Sequence, residues 1–215
     1  MVDFVSGPLV WIAFVGFFGG LLYRFATMYR LADRERVVLP TLSPRFGGRS
    51  LLHWVLPFAG TSSRMRPVFT VVSFAFHVCL VVTPLFLMGH AVLWRQAWGV
   101  RWWSLPEDVA DVMTLIVIAG CLFFILRRLV RPEVRNVSYA SDFILALLVM
   151  APFATGYVAH QQWLPYQTMI VIHIVTGAIW LLAIPWTRLV HMLWFPFTRA
   201  YMGSEFGAVR HARDW

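Results

Sequence analysis

Long apolar runs dominate the pattern of hydrophobic and polar positions along the chain, and the stretches between them are more polar and mostly contain arginine. The runs are continuous and do not alternate with a period of two, so they predict helices rather than strands. Each approaches the roughly 20 residues that a helix needs to cross a bilayer. The pattern therefore predicts five spanning helices, at about 8–29, 69–94, 109–126, 143–158 and 169–193.

The composition supports a membrane protein. Of 215 residues, 60% are hydrophobic and only 13% are charged, whereas soluble domains carry about 25% charged residues. So few charges cannot cover the surface of a soluble protein. We therefore expect an all-α integral membrane protein in which residues 1–215 form a single domain. No cleavable signal peptide is expected, because MVDFVSG lacks a basic region and the first apolar run is too long.

The basic residues predict the orientation. All 18 are arginine, and sixteen of them fall in the stretches 24–66, 127–135 and 188–213, while Arg95 and Arg101 follow the second apolar run. The positive-inside rule then predicts an outside N-terminus and a cytoplasmic C-terminus in the inner membrane. The net charge of +8 follows this topology, so anionic lipid explains it better than nucleic acid.

Four of the seven histidines lie within the predicted helices, His77 and His90 on the second and His173 and His191 on the fifth. Ionisable residues in spanning helices are functional candidates. Because the two helices run in opposite directions, His77 and His191 are predicted near the cytoplasmic face and His90 and His173 near the outer face. Neutral imidazole is a good axial ligand for haem iron. Two haems b between helices 2 and 5 are therefore predicted, with these four histidines as the metal ligands.

Spacing along the helices bears on this pairing. His173 and His191 are 18 residues apart, which in a continuous helix is five turns, about 27 Å, with both rings on one side. His77 and His90 are 13 residues apart, about 140° from sharing a face. A distortion at Pro84 or Gly89 is expected to absorb this mismatch.

With five helices, an outside N-terminus and these histidine pairs, the chain resembles the gamma (cytochrome b) subunit of respiratory nitrate reductase. The His173–His191 interval and the Gly89-His90 step match that family, whereas the interval from His77 to His90 is longer here. A homologous branch, the cytochrome b subunit of transmembrane redox complexes in sulfate reducers, is closer still. That similarity lies in FHVCLVVTPLFLMGHAVLW, IPWTRLVHMLWFPFTRAYMGSEFG and the terminal RDW.

The resemblance implies an electron-transfer subunit with two haems b and a quinone site beside the outer haem, near Gly89 and His90. Menaquinone or another quinone is the implied substrate, and quinone oxidation or reduction the only catalysis. The family uses a lysine near the outer end of the third helix, which this chain lacks. Arg101, Asp108 and Asp111 are the nearest polar substitutes, and Asp111 is the leading candidate ahead of His160. Electrostatic stabilisation of a helix N-terminus is the competing role for these carboxylates.

The implied partner is a cytoplasmic iron–sulfur subunit similar to heterodisulfide reductase or to the nitrate reductase beta subunit. Residues 202–215 extend well beyond the fifth predicted helix and end in Trp215. Alone, this segment has too little apolar area to fold. We expect it to dock the partner together with the basic stretch 30–66.

Two alternatives stay open. An outer cytochrome c is a possible redox partner for the same haems, docked at Arg95, Arg101 and the tryptophans of that loop. A different class is a haem-free transporter or assembly factor that uses the histidines as a proton relay. A purified sample without a Soret band would favour that second alternative.

Overall fold

The computed structural model describes residues 2–35 and 37–214, and that part of the chain is helical without strands. Arg36 of the basic stretch and Trp215 of the tail lie outside the described residues. A 3₁₀ helix, Arg188–Val190, precedes α12, and a π-helical segment, Glu205–Val209, follows it. The α-helices are α1 (Val2–Ser6), α2 (Pro8–Arg34), α3 (Val38–Thr41), α4 (Pro44–Val55), α5 (Thr61–Met65), α6 (Pro67–Phe86), α7 (Met88–Trp98), α8 (Glu107–Val130), α9 (Pro132–Arg135), α10 (Ala140–His160), α11 (Tyr166–Ala183) and α12 (His191–Ser204).

Among the described residues, five helices are long and apolar enough to cross a membrane, which confirms the predicted number of spans. They are Asp3–Arg34, Pro67–Phe86, Glu107–Val130, Ala140–His160 and Tyr166–Ala183. Large apolar side chains such as Val15, Leu22 and Val130 are mostly exposed on them. Helices satisfy their own backbone hydrogen bonds, so such a surface suits lipid.

Two of the predicted helices are interrupted. The second, predicted over 69–94, ends at Phe86 and restarts at Met88, because Leu87 is extended (φ −64°, ψ 131°). This break lies between Pro84 and Gly89, the two positions where a distortion was expected. The fifth, predicted over 169–193, ends at Ala183 and resumes as an α-helix only at His191. The continuous helix was wrong, and so was the five-turn phase relation between the two histidines that it implied.

The chain divides into two compact units. The first unit comprises the residues up to Leu9 and Val72–Trp180, and the second comprises Val10–Val71 and the residues from Leu181 onward. In the first unit α8 packs against α10. Arg128 lies 3.8 Å from Asp142 at one end of this pair, and Gln161 donates to Asp111 at the other. The two helices are therefore antiparallel neighbours.

In the second unit α4 packs against α12, and small residues bring the two backbones close together. A Cβ on Gly47 would lie only 3.1 Å from the carbonyl oxygen of Ala200. Ser204 is fully buried, and its Oγ accepts from the backbone N–H of Ser43 at 2.9 Å. Small side chains permit this approach, as they do between spanning helices.

Candidate functional site

The break at Leu87 determines what His90 contacts. The last four carbonyls of a helix have no partner within it, and in an apolar surrounding each needs one. In α6 these belong to residues 83–86, and all four accept a hydrogen bond from elsewhere in the first unit. Leu87 N donates to the Thr83 carbonyl, His90 Nδ1 to Pro84, Trp102 Nε1 to Leu85 and Leu105 N to Phe86, at 2.8–2.9 Å. The end of the helix thereby supplies the acceptor for His90.

His173 lies on α11 and is held by α10 in the same way. Its Nδ1 lies 2.8 Å from the carbonyl oxygen of Pro152. Beside this contact Thr155 and Thr176 join the two helices through their hydroxyls at 3.3 Å. A carbonyl can only accept, so Nδ1 of both His90 and His173 carries the proton and Nε2 carries the lone pair of the neutral ring. In metal-bound histidines, a hydrogen bond from one ring nitrogen to such an acceptor leaves the other nitrogen to bind the metal.

The structure brings His90 and His173 together. Their ring centroids are 6.0 Å apart and the ring planes differ by 21°. An imidazole nitrogen binds a metal at about 2 Å and the ring centre lies about 1 Å further out, so two imidazoles on opposite sides of one ion have centres about 6 Å apart. The spacing of the His90–His173 pair therefore matches the distance that one shared metal ion requires.

There is also room near these histidines. A Cβ added to Gly89 or to Gly177 would meet no atom of the described residues within 4 Å. Gly89 precedes His90, and Gly177 lies one turn beyond His173 on α11. Within residues 2–35 and 37–214, no three His, Cys, Asp or Glu side chains gather to hold a bare metal ion. Haem iron needs only axial ligands from the protein, so a pair of imidazoles is a sufficient donor set for a haem.

The other two predicted ligands have the same tautomer. His77, on α6 in the first unit, donates from Nδ1 to the carbonyl of Ser73 at 2.7 Å. His191, the first residue of α12 in the second unit, donates from Nδ1 to the carbonyl of Arg188 at 2.9 Å. Both acceptors are in the local helical turn. Nε2 therefore carries the lone pair at all four predicted ligands.

Asp111 joins a polar cluster that sequence analysis foresaw only in part. Its carboxylate accepts from Gln161 Nε2 at 2.7 Å and lies 3.7 Å from His160 Nε2. These three residues, the Asp111 cluster, join the start of α8 to the end of α10. Sequence analysis considered Asp111 and His160 separately and missed Gln161, although it directly follows His160. The antiparallel pairing of α8 and α10 is what brings them together.

The remaining polar candidates lie outside this cluster. Glu107 and Asp108 are in the first turn of α8, where carboxylates stabilise the helix dipole. Arg101 is exposed in the segment before α8. Nearby, Trp94 contacts Trp98 and Trp102, with ring centroids 4.4 and 5.7 Å apart. This aromatic cluster matches an interfacial belt in composition.

The tail, which was expected to have too little apolar area to fold alone, packs against other parts of its own chain. Arg199 on α12 forms a hydrogen-bonded ion pair with Asp214, and Ser50 of α4 donates to the same carboxylate at 2.5 Å. The Arg199 guanidinium also lies over the ring of Trp54, 4.2 Å from its centroid. Burial lowers the pKa of Arg199, and the neighbouring Asp214 opposes that shift. The sequence offered only composition, and composition did not reveal this pairing.

Comparison with known proteins gives an alignment that covers nearly the whole chain. No family model and no solved structure matches the chain. It is 36% identical over 215 residues to a protein of Nitratidesulfovibrio vulgaris strain Hildenborough. The alignment covers 98% of this chain and 95% of that protein, whose name, "Protein", states no activity. The chain belongs to the same family as this Nitratidesulfovibrio vulgaris protein.

Proposed function

We propose that the chain is a dihaem cytochrome b, the membrane subunit of a respiratory complex related to the gamma subunit of nitrate reductase. The observation that carries this proposal is the His90–His173 pair, with centroids 6.0 Å apart and each Nδ1 donating to a backbone carbonyl. A haem held there would supply one-electron transfer. His90 and His173 would supply the ligating nitrogens, and the Pro84 and Pro152 carbonyls fix their tautomers.

His77 and His191 are the proposed ligands of the second haem. Each presents Nε2 as its lone-pair nitrogen because Nδ1 donates within the local turn. The proposed topology has an outside N-terminus and a cytoplasmic C-terminus in the inner membrane, as the arginines predict. His90 and His173 then hold the outer haem and His77 and His191 the inner one.

The Asp111 cluster is the proposed site of proton exchange with a quinone, such as menaquinone. Pro152, the acceptor for His173, lies eight residues before His160 on α10, which is about 12 Å of helix rise. The carboxylate of Asp111 and the imidazole of His160 can each take or give a proton. Gln161 holds Asp111 through a direct hydrogen bond, which keeps the carboxylate oriented. Gly89 and Arg101 stay candidate quinone contacts.

The proposed redox partner is a cytoplasmic iron–sulfur subunit of the heterodisulfide reductase or nitrate reductase beta type. Because the tail packs on α4, the docking surface is a folded platform of α4, α12 and the tail rather than a loose segment. Arg45, Arg64 and Arg66 are exposed in the basic stretch 30–66. Exposed arginines of one sign favour a partner with an acidic face.

Haem quantitation on the intact complex, purified from its native membrane, tests the proposal. We expect two haems b per chain by the pyridine haemochrome assay and an iron–sulfur protein among the co-purifying subunits. A preparation with no Soret band would reject the cytochrome and favour the histidine proton relay of a transporter. If the preparation holds two haems and its only redox partner is a periplasmic cytochrome c, the result would instead favour electron exchange with a cytochrome c docked at the outer loop.

A further inference from the structure

Gly156 of α10 lies directly against the imidazole of His173. A Cβ on Gly156 would be 2.9 Å from both Cε1 and Nδ1 of that ring. Carbon atoms do not approach so closely without displacing a neighbour. The same imidazole nitrogen donates to the carbonyl of Pro152 at 2.8 Å, and Pro152 is four residues before Gly156. One helical turn of α10 thus provides both the acceptor and the space for His173.

The geometry of a helix explains why these two features occur together. Side chains tilt towards the helix N-terminus, so the residue at i+4 covers the turn that contains the carbonyl of residue i. A carbonyl oxygen has two lone pairs, one of which serves the helical ladder. The Thr155 hydroxyl donates mainly to the Ala151 carbonyl at 2.7 Å and lies 3.3 Å from the Pro152 oxygen. With glycine at 156, the side of the Pro152 oxygen that faces α11 is uncovered, and the His173 Nδ1 reaches it at 2.8 Å. Any larger residue at 156 would cover it.

We propose that Gly156 is a positioning residue for His173, which it allows to dock on the Pro152 carbonyl with the proton on Nδ1 and the lone pair on Nε2. The inference rests on the proposed function, since the lone pair matters if His173 ligates haem iron. It assigns a role in haem binding to α10, a helix without a predicted ligand. The ring orientation of the ligand is then determined by α10 rather than by α11 alone.

The test compares Gly156→Ala with Gly19→Ala in the full-length protein. Gly19 is an exposed glycine of the spanning helix α2, and a Cβ there meets no atom of the described residues within 4 Å. Loss of a partner that orients a metal ligand weakens metal binding about 10- to 100-fold. We expect Gly156→Ala to lose the outer haem on dilution or to retain it with a changed electron paramagnetic resonance signal. The inner haem and Gly19→Ala should match the wild type.

The outcomes separate the two proposals. Wild-type protein without haem overturns the proposed function and, with it, the role of Gly156. If the wild type holds two haems and Gly156→Ala shows the same two electron paramagnetic resonance signals unshifted, the role of Gly156 is overturned and the proposed function stands. If Gly156→Ala does not accumulate, ¹⁵N NMR of the reduced wild type decides, with His173 assigned by nuclear Overhauser contacts between its ring and Gly156 Hα. A protonated Nδ1 in contact with Gly156 Hα supports the proposal, and an unprotonated Nδ1 or a missing contact contradicts it.

Discussion

The two units hold their key polar groups in opposite ways. In the first, His90 and His173 dock on the backbone carbonyls of Pro84 and Pro152. In the second, Arg199 is held by the Asp214 carboxylate, a side chain with 4% of its surface exposed. A neutral imidazole in an apolar surrounding needs one acceptor, and a helix backbone can supply it without introducing a charge. A guanidinium needs a counter-charge when it is buried.

This difference determines which amino-acid substitutions each unit tolerates. Backbone acceptors cannot be removed by substituting the residue that carries them, so the histidine region depends on helix geometry and on the histidines themselves. The Arg199–Asp214 pair depends on one carboxylate and fails when that side chain changes. Substitutions in the first unit should therefore change haem binding, and substitutions in the second unit should change amide deuterium exchange.

The largest effect expected from the proposed function is loss of a haem on replacing either member of the His90–His173 pair. His173→Ala should reduce the haem content from two per chain to one, because the remaining imidazole cannot hold the iron from both sides. The pyridine haemochrome assay measures this loss. His90→Ala should remove the same spectral species, whereas His77→Ala and His191→Ala should remove the other one. A common haem for His77 and His173 would contradict the pairing.

Asp214→Asn should have the next largest effect, confined to the second unit. It leaves the Arg199 side chain, 15% exposed, without its counter-charge, and breaking a buried ion pair costs about 3 kcal/mol. Amides of α12 should then exchange with deuterium about 100-fold faster, which mass spectrometry can follow along the helix. Haem content should not change. An unaltered exchange rate in α12 would mean that the tail contributes little to its stability.

The Asp111 cluster sharpens the comparison. It lies in the first unit but is held by side chains, so Asp111→Asn should leave both haems bound while removing a proton-exchanging group. We expect quinone turnover to fall about 100-fold, the lower end of what a positioned acid or base contributes. Stopped-flow haem oxidation by a soluble quinone measures it. Asp108→Asn, in the first turn of the same helix, is the matched control and should react at the wild-type rate.

Sequence analysis identified the spans and the histidines because both depend on local signals. Apolar runs of spanning length predict helices, and a histidine within one is conspicuous. It predicted a distortion at Pro84 or Gly89 but not that the helix would end at Phe86 and restart at Met88, since the residues around Leu87 are as apolar as a continuous helix requires. The acceptors of His90 and His173 were equally hidden, because they are main-chain atoms exposed by a helix end and by the missing side chain of Gly156. Which carbonyl is uncovered depends on which helices are neighbours.

The tail was missed for a different reason. Its stability comes from one ion pair between residues 15 positions apart and from glycines and serines that let α12 approach α4. Judged by apolar area alone, residues 202–214 have too little to fold. Close packing of small residues and a buried charge pair stabilise the tail without a large apolar surface, and neither is evident in composition.

The smallest expected effect comes from an ion pair in the same tail that differs from Arg199–Asp214 in exposure. Arg210 lies 3.0 Å from Glu205, with 60% and 24% of the two side chains exposed. Exposed pairs contribute about 0.5 kcal/mol, because water solvates the separated charges almost as well. Glu205→Gln should therefore change deuterium exchange in α12 by less than about threefold, under the conditions used for Asp214→Asn. If both substitutions accelerate exchange equally, burial does not distinguish the two ion pairs, and the larger effect predicted for Asp214→Asn is wrong.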